Sequence, residues 1–254
     1  MNSEIRQEEK REIQIAREYT VVKANEIIQK SRFNLTLLEQ KIFCYLVSKI
    51  KPDAKLNEFY NFSINEYCAI CNITTNNGKN IVNIETALQR LRNKSFYMDV
   101  NGKKILIAWL SKVIIDENSG DIQIKFDEDM EKYLISLKQR YTQYNLLWIL
   151  DFKSQYSIRM YELLKSYVNL KSSIQLDLDN LKSQLMTTYK RYPDFRRNVL
   201  EPVTKEINHK TDLLISWKPI KKGRKVVKIE FSIKQKTGLS YYEIIRKKNK
   251  SFHD

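Results

Sequence analysis

The sequence contains few of the residues that mark several common classes of protein. It has 5 Gly and 4 Pro among 254 residues, which argues against collagen-like, elastic and propeller-like architectures. No stretch approaches the roughly 18 consecutive apolar residues that suggest a transmembrane helix. Residues 1–19 also lack the apolar core of a secretory signal. We therefore expect a cytoplasmic protein.

Cysteine and histidine are scarce as well. Three cysteines are too few and too unevenly spaced for a disulfide framework. Cys68 and Cys71 form a C-x-x-C pair, but a zinc site needs about two further soft ligands, and the only histidines are His209 and His253. We expect the C-x-x-C pair to lie on a helix with one thiol buried, and we expect no metal and no other cofactor.

What the chain does have is an uneven excess of positive charge, with a formal net charge of +15 at pH 7. Residues 1–150 hold 22 Lys and Arg against 19 Asp and Glu, whereas residues 151–254 hold 23 against 11. The second part therefore carries most of the excess, which favours a surface there that binds a polyanion such as nucleic acid. A basic surface that only keeps the protein soluble is the alternative. Binding to a membrane surface is less favoured, because no basic stretch has the required apolar face.

The first half of the chain predicts the element order of a winged helix-turn-helix. Thr36 followed by Glu39 is a capping box, which marks the start of a helix. Alternating polar and apolar residues on both sides of a Gly-containing turn predict a two-stranded wing. The predicted elements are a helix over 37–50, a strand over 59–63, a short helix over 64–71, a helix over 79–94, and wing strands over 103–115 and 121–126.

The second half repeats that order after a packed, helical linker around 127–151. Its predicted elements are a helix over 156–167, a short helix ending near 186, a turn over 189–193, a long helix over 194–210, and a hairpin of 213–220 with 225–234. We therefore predict an α+β fold of two tandem winged-helix domains, mainly helical, with β wings of two to three strands. The predicted divisions are an N-terminal extension (1–19), a first winged helix (20–135), a second (136–240) and a basic tail (241–254).

The long helix of the second domain predicts a face that reads DNA. At about 100° per residue, one face is apolar, and the opposite face carries Arg and Asn near its N-terminal half. Arg pairs bidentately with guanine and Asn with adenine in the major groove. The apolar face is formed by Val199, Leu200, Val203 and Ile207. The candidate DNA contacts of this domain, including the basic residues before the helix and at the wing tip, are Lys190, Arg191, Arg196, Arg197, Asn198, Lys205, Lys210, Lys221, Lys222, Arg224 and Lys225. A solvated helix face is the alternative interpretation.

The first domain offers a weaker set of candidates. They are Asn77, Lys79, Asn80 and Arg90, in or near its longer helix. Its wing tip, residues 116–118, carries two acidic side chains that would repel phosphate. We expect this domain to make a weaker DNA contact or a contact with another protein.

Several motifs together resemble those of iteron-type plasmid replication initiators, over about residues 20–235. They lie at 22–25, 34–46, 141–144, 157–163, 192–197, 206–208, 222–225 and 229–231. The resemblance implies a protein whose monomers bind direct repeats (iterons) in the double-stranded DNA of a plasmid origin through both winged helices. It implies opening of the adjacent duplex and recruitment of the host initiator and of the replicative helicase or its loader. It also implies homodimers, in equilibrium with monomers and formed largely through the first domain, that repress the protein's own promoter.

The same resemblance implies that Arg196, Arg197 and Lys205 contact bases or phosphates in the second domain. Asn198 departs from the family's pattern, because relatives often carry a basic residue at this position. The base preference there is therefore open.

Two other functions are weighed against this one. A metal-dependent DNA-nicking enzyme needs a His-x-His pair beside its tyrosine, and the two histidines here are far apart; an ATPase phosphate loop is also missing. We therefore expect no catalytic residues and no enzymatic activity. A transcription regulator with tandem winged helices would have the same fold and differ only in its target, with inverted half-sites at promoters.

Overall fold

The computed structural model describes residues 20–51, 54–55, 57–71, 73–74, 78–116, 121–135, 137 and 139–236. The predictions for the extension (1–19), the tail (241–254) and Asn77 lie outside these residues. In the first half the helices are α1 (Asn25–Lys30), α2 (Leu37–Ser48), α3 (Ile64–Cys71) and α4 (Lys79–Asn93). The strands are β1 (Thr20–Ala24), β2 (Tyr60–Ser63), β3 (Ser95–Val100), β4 (Lys103–Ala108), β5 (Leu110–Ile115) and β6 (Asp121–Phe126).

The start of α2 confirms the predicted capping box. The backbone N–H of Glu39 donates to Thr36 Oγ1 (3.3 Å), and the N–H of Thr36 donates to Glu39 Oε2 (2.8 Å). Lys94 Nζ also lies 2.7 Å from Glu39 Oε2, and the Glu39 side chain is fully buried. Thus the residues that start α2 also hold the end of α4.

The first wing is not the single two-stranded hairpin that the sequence predicts. Residues 103–115 form two strands in different sheets: β4 pairs with β3, while β5 pairs with β6, which also pairs with β2. The break falls at Trp109, which is buried against Phe33, Phe43 and Phe96, with ring centroids 4.8, 4.6 and 4.5 Å away. The prediction of one continuous wing strand was wrong because this buried indole redirects the chain.

The prediction that the linker around 127–151 is helical was wrong in part. It contains a 3-10 turn (Glu128–Met130), α5 (Glu131–Leu134), strand β7 (Tyr141–Asn145) and α6 (Leu147–Leu150). β7 pairs antiparallel with β1, and its side chains alternate between exposed and buried, as a two-residue period requires. Tyr144, Leu147 and Trp148 are buried, so the expectation that this segment is packed is confirmed.

In the second half, a strand that the sequence reasoning missed completes the wing. This half contains α7 (Gln155–Lys165), β8 (Ser173–Asp177), α8 (Leu178–Gln184), α9 (Tyr192–Phe195), a π-helical turn (Arg196–Leu200), α10 (Glu201–Lys210), β9 (Leu213–Lys222) and β10 (Lys225–Gln235). The sheet has the order β8–β10–β9, all antiparallel, so the expected hairpin has a third strand. Two winged helices follow one another in the chain, as predicted.

Helix α7 is bonded to both halves of the chain. On one side Glu162 forms a buried ion pair with Lys23 of β1. On the other, the Tyr161 hydroxyl donates to Asp212 (2.9 Å) and the Ser157 hydroxyl donates to Glu206 (2.6 Å). The described core is therefore continuous across the two winged helices.

A polar contact joins the α1–α2 connection to α8. Arg32 donates to Asn180 Oδ1 (2.7 Å) and to Ser183 Oγ (3.3 Å), and the Gln184 amide donates to the backbone carbonyl of Gln29. Helix α8 precedes the long helix of the second domain. These hydrogen bonds therefore help to hold the second winged helix in position against the first.

Candidate nucleic-acid interface

The long helix of the second domain begins earlier than predicted and is not uniform. It starts at Tyr192 with Pro193 in its first turn, and residues 196–200 form a π-helical turn before α10. Pro202 has no N–H to donate to the carbonyl of Asn198, and its ring crowds that carbonyl, which disturbs the α-helical ladder at this point. We call residues 192–210 the recognition helix.

The π-helical turn exposes three consecutive polar side chains. Arg196, Arg197 and Asn198 are all exposed, between the buried Phe195 and Val199. The predicted apolar face is confirmed, because each of its members is buried; these are Val199, Leu200, Val203 and Ile207. Lys205 is exposed about two turns further along the helix. The predicted reading face therefore points to solvent.

The arginines at the start of the recognition helix are paired with carboxylates at the surface. Arg191 lies 2.8 Å and Arg197 3.4 Å from Asp194, and Arg196 lies 2.7 Å from Glu201. Hydrogen bonding from Arg191 holds the pKa of Asp194 below its usual value, so this carboxylate remains charged. Exposed ion pairs contribute only about 0–1 kcal/mol each, so the guanidinium groups can exchange these partners for a phosphate or a guanine at little cost.

The tip of the second wing concentrates positive charge in a tight turn. Gly223 has φ of +61°, a conformation that glycine adopts without strain. Lys222 and Lys225 lie directly opposite each other across β9 and β10, and Lys221 and Arg224 are exposed beside them. Like charges at opposed positions destabilise a hairpin, and a bound polyanion would remove that repulsion.

The wing and the recognition helix form one unit. The Asn208 side chain accepts from the N–H of Ile215 (2.7 Å) and donates to its carbonyl (2.8 Å), which fixes α10 on β9. A projection at 100° per residue would place Asn208 on the solvent face, but the residue is half-buried and serves this contact. Ahead of the helix, Lys190 is exposed, and its carbonyl accepts from Lys182 (2.6 Å).

Lys210 stands apart from the other candidates. It lies at the last residue of α10, and its ammonium donates to the Asp151 carbonyl and to Glu206, both at 2.8 Å. These bonds tie the end of the recognition helix to the chain before α7. The structure thus places Lys210 in a structural contact, and its assignment to DNA binding stays a prediction.

The candidate DNA contacts of the first domain differ in their exposure to solvent. Lys79 and Arg90 are exposed near the two ends of α4, whereas Asn80 is half-buried and donates to the Thr74 carbonyl (2.5 Å). Asn77 lies outside the described residues. In the predicted acidic wing tip, Asp116 is exposed, and residues 117–118 again lie outside the described part.

Sequence reasoning missed three further side chains on α4, which a projection at 100° per residue would have found: Val82, Thr86 and Gln89.

The cysteine pair lies on α3, as expected, with Cys68 buried and Cys71 half-buried. Among the residues that the structure describes, no group of three or more His, Cys, Asp or Glu side chains is placed to hold a metal ion. None of the described helices is both long and apolar enough to span a membrane.

Comparison with known proteins adds independent information. A family model described as "Initiator Replication protein, WH1" matches residues 20–165, and one described as "Initiator Rep protein, WH2" matches residues 177–233. A replication initiation protein of Escherichia coli is 29% identical over 206 residues, which are 75% of this chain and 62% of that protein. The PI protein of Escherichia coli is 29% identical over 159 residues, 55% of this chain and 50% of that protein. The chain thus spans between half and two thirds of the length of these relatives.

A solved structure has the same fold. It is the crystal structure of a Pi initiator protein in complex with iteron DNA, which matches with a TM-score of 0.70 at 19% sequence identity. The match covers 87% of this chain and 99% of that one. The tandem winged-helix fold predicted from the sequence is therefore confirmed.

Proposed function

The chain belongs to the family of initiator replication proteins, and from this we propose that it is a plasmid replication initiator that binds direct repeats at an origin in double-stranded DNA. The observation that carries the proposal is the exposed run Arg196, Arg197 and Asn198, on a helix fixed to a wing with a basic tip. This arrangement supplies donors for guanine, adenine and phosphate on one surface. The proposed role is binding in the cytoplasm rather than catalysis.

The finer steps belong to the same proposal. Opening of the adjacent duplex, and recruitment of the host initiator and the replicative helicase or its loader, are supported by the family resemblance. A homodimer that represses the protein's own promoter would use the first domain. There, Leu106 on β4 is 65% exposed, and among the described strands β4 pairs only with β3. Such an edge can pair with a second copy.

The test is binding of the purified chain to the DNA that flanks its own gene. Fluorescence anisotropy and footprinting are run over a salt series with random competitor DNA present. Evenly spaced protection of direct repeats, with one protein per repeat, supports the initiator. Protection of an inverted repeat alone would instead indicate a transcription regulator, and no preference over competitor would contradict both. Sedimentation of the parent and of Leu106→Lys tests the dimer, which the variant should weaken.

A further inference from the structure

Helix α4 of the first domain presents an exposed apolar side chain at the centre of its solvent face. Val82 is 59% exposed, while the opposite face of the helix, including Ile84 and Leu88, is buried. Valine is a poor choice for an exposed helical position, because its branched side chain loses rotamer freedom there and gains no packing. Its presence therefore suggests contact with a partner.

The neighbours of Val82 along the helix indicate the chemistry of that partner. A stripe at spacings of three and four residues surrounds it, with positive charge toward both ends and uncharged polar groups between. Glu85, the acidic residue of α4, lies to one side of the stripe and is half-buried. The members of the stripe are Lys79, Val82, Thr86, Gln89, Arg90 and Asn93.

A DNA major groove fits this stripe better than a protein surface does. Lys79 and Arg90 suit the phosphates on either side, and Gln89 has the geometry to pair with adenine. The one apolar group that bases display in the major groove is the C5-methyl of thymine. In the winged fold α4 also holds the position in the first domain that the recognition helix holds in the second.

We propose that Val82 of α4 packs against the methyl group of a thymine in the part of the repeat next to the first domain. This rests on the proposed DNA-binding function and gives the first domain a specific role in it. Val82 is then a specificity-determining residue, and Lys79 and Arg90 orient the helix on the backbone.

The test replaces thymine by uracil, which lacks only the C5-methyl group. Synthetic duplexes carry the repeat found by footprinting, with one thymine changed at a time, and binding is measured by anisotropy. For the parent protein, one substitution should weaken binding about fourfold, the equivalent of about 0.8 kcal/mol for one buried methyl group. For Val82→Ala, the thymine and uracil duplexes should bind almost equally.

Leu170→Ala is the matched control, since Leu170 is also a highly exposed apolar residue (70%) but lies in the turn after α7. It should keep the parent's preference for thymine. Equal sensitivity to uracil in the parent and in Val82→Ala would overturn the proposal, as would a Val82→Ala protein that changes its state of association but not its DNA binding. Failure of the parent to prefer the repeat would instead contradict the proposed function itself.

Discussion

Lys23 Nζ lies 2.6 Å from Glu162 Oε1, and both side chains are almost completely buried. The Tyr144 hydroxyl donates to the same oxygen (2.6 Å), and Arg159 lies 3.9 Å from the other carboxylate oxygen. Burial alone would raise the pKa of Glu162, but the charges of Lys23 and Arg159 lower it below its usual value. The pair therefore remains ionised and connects β1 to α7.

Loss of this carboxylate should destabilise the whole fold. Glu162→Gln leaves the Lys23 ammonium buried without its counter-charge, which costs about 3–5 kcal/mol. Urea denaturation followed by circular dichroism measures the change. Glu26→Gln is the control, because it breaks the exposed Lys30–Glu26 pair and should cost less than about 1 kcal/mol. A similarly small cost for Glu162→Gln would show that the buried pair contributes little.

The same pair predicts a dependence of stability on pH. Since the pKa of Glu162 is lowered in the folded protein, its contribution is present above the usual value of 4.5 and is lost as the pH falls through the folded-state value. The free energy of unfolding of the parent should therefore fall more steeply below pH 4.5 than that of Glu162→Gln. Parallel curves of unfolding free energy against pH for the two proteins would contradict a lowered pKa for Glu162.

The contact between Arg32 and α8 predicts an effect on DNA binding at a distance. Arg32→Ala removes the bonds to Asn180 and Ser183, so that the second winged helix is held less firmly relative to the first. When two linked modules lose their relative orientation, their effective concentration for each other's site falls. Binding to a full repeat should weaken by roughly three- to tenfold, as expected for the loss of about 1 kcal/mol of polar contact.

A duplex that carries only the part of the repeat read by the second domain separates this effect from a direct one. Arg32→Ala should bind that shorter duplex as the parent does. Asn180→Ala, which removes the partner, should behave like Arg32→Ala. If Arg32→Ala lost the same affinity for the short duplex as for the full one, Arg32 would contact DNA or support the fold of the second domain directly.

Local signals accounted for much of the fold. The capping box at Thr36 and the apolar period through Val203 and Ile207 depend only on residues a few positions apart, and the structure confirms both. The pairing of β1 with β7 depends on residues more than a hundred positions apart in the sequence. It was missed because single-sequence patterns carry no information about such partners.

Two local signals were present and not used. Asn101 and Gly102 both have positive φ and form the turn from β3 to β4, and an Asn-Gly pair is among the strongest local signals for a hairpin. Pro202 marked the disturbed helical ladder before α10. Within the candidate site, the exposure of Arg196 and Arg197 was predictable from periodicity, but their pairing with Glu201 and Asp194 required side-chain positions.

Arg197→Ala should weaken binding to the specific repeat by about 1–3 kcal/mol and relax sequence preference at one base pair. Arg197 is 74% exposed on the recognition helix, and its contact with Asp194 is a surface ion pair, so the fold should be unaffected. Anisotropy on the repeat, on single-base variants and on random DNA gives the comparison. An equal loss on specific and random DNA would mean that the recognition helix has been assigned wrongly.

Lys222→Ala should weaken binding to every DNA sequence to a similar extent. The wing tip carries four basic side chains around Gly223, and Lys222 is a compact point charge rather than a planar fork of donors, so its contact is expected to be with a phosphate. Removal of one phosphate contact lowers the slope of log affinity against log salt by about one. The variant should not be less stable, because it also relieves the repulsion between Lys222 and Lys225. Lys171→Ala, which removes an exposed charge after α7, should leave the slope unchanged. An unchanged slope for Lys222→Ala, or a loss confined to the specific repeat, would show that the wing tip is not a general phosphate contact.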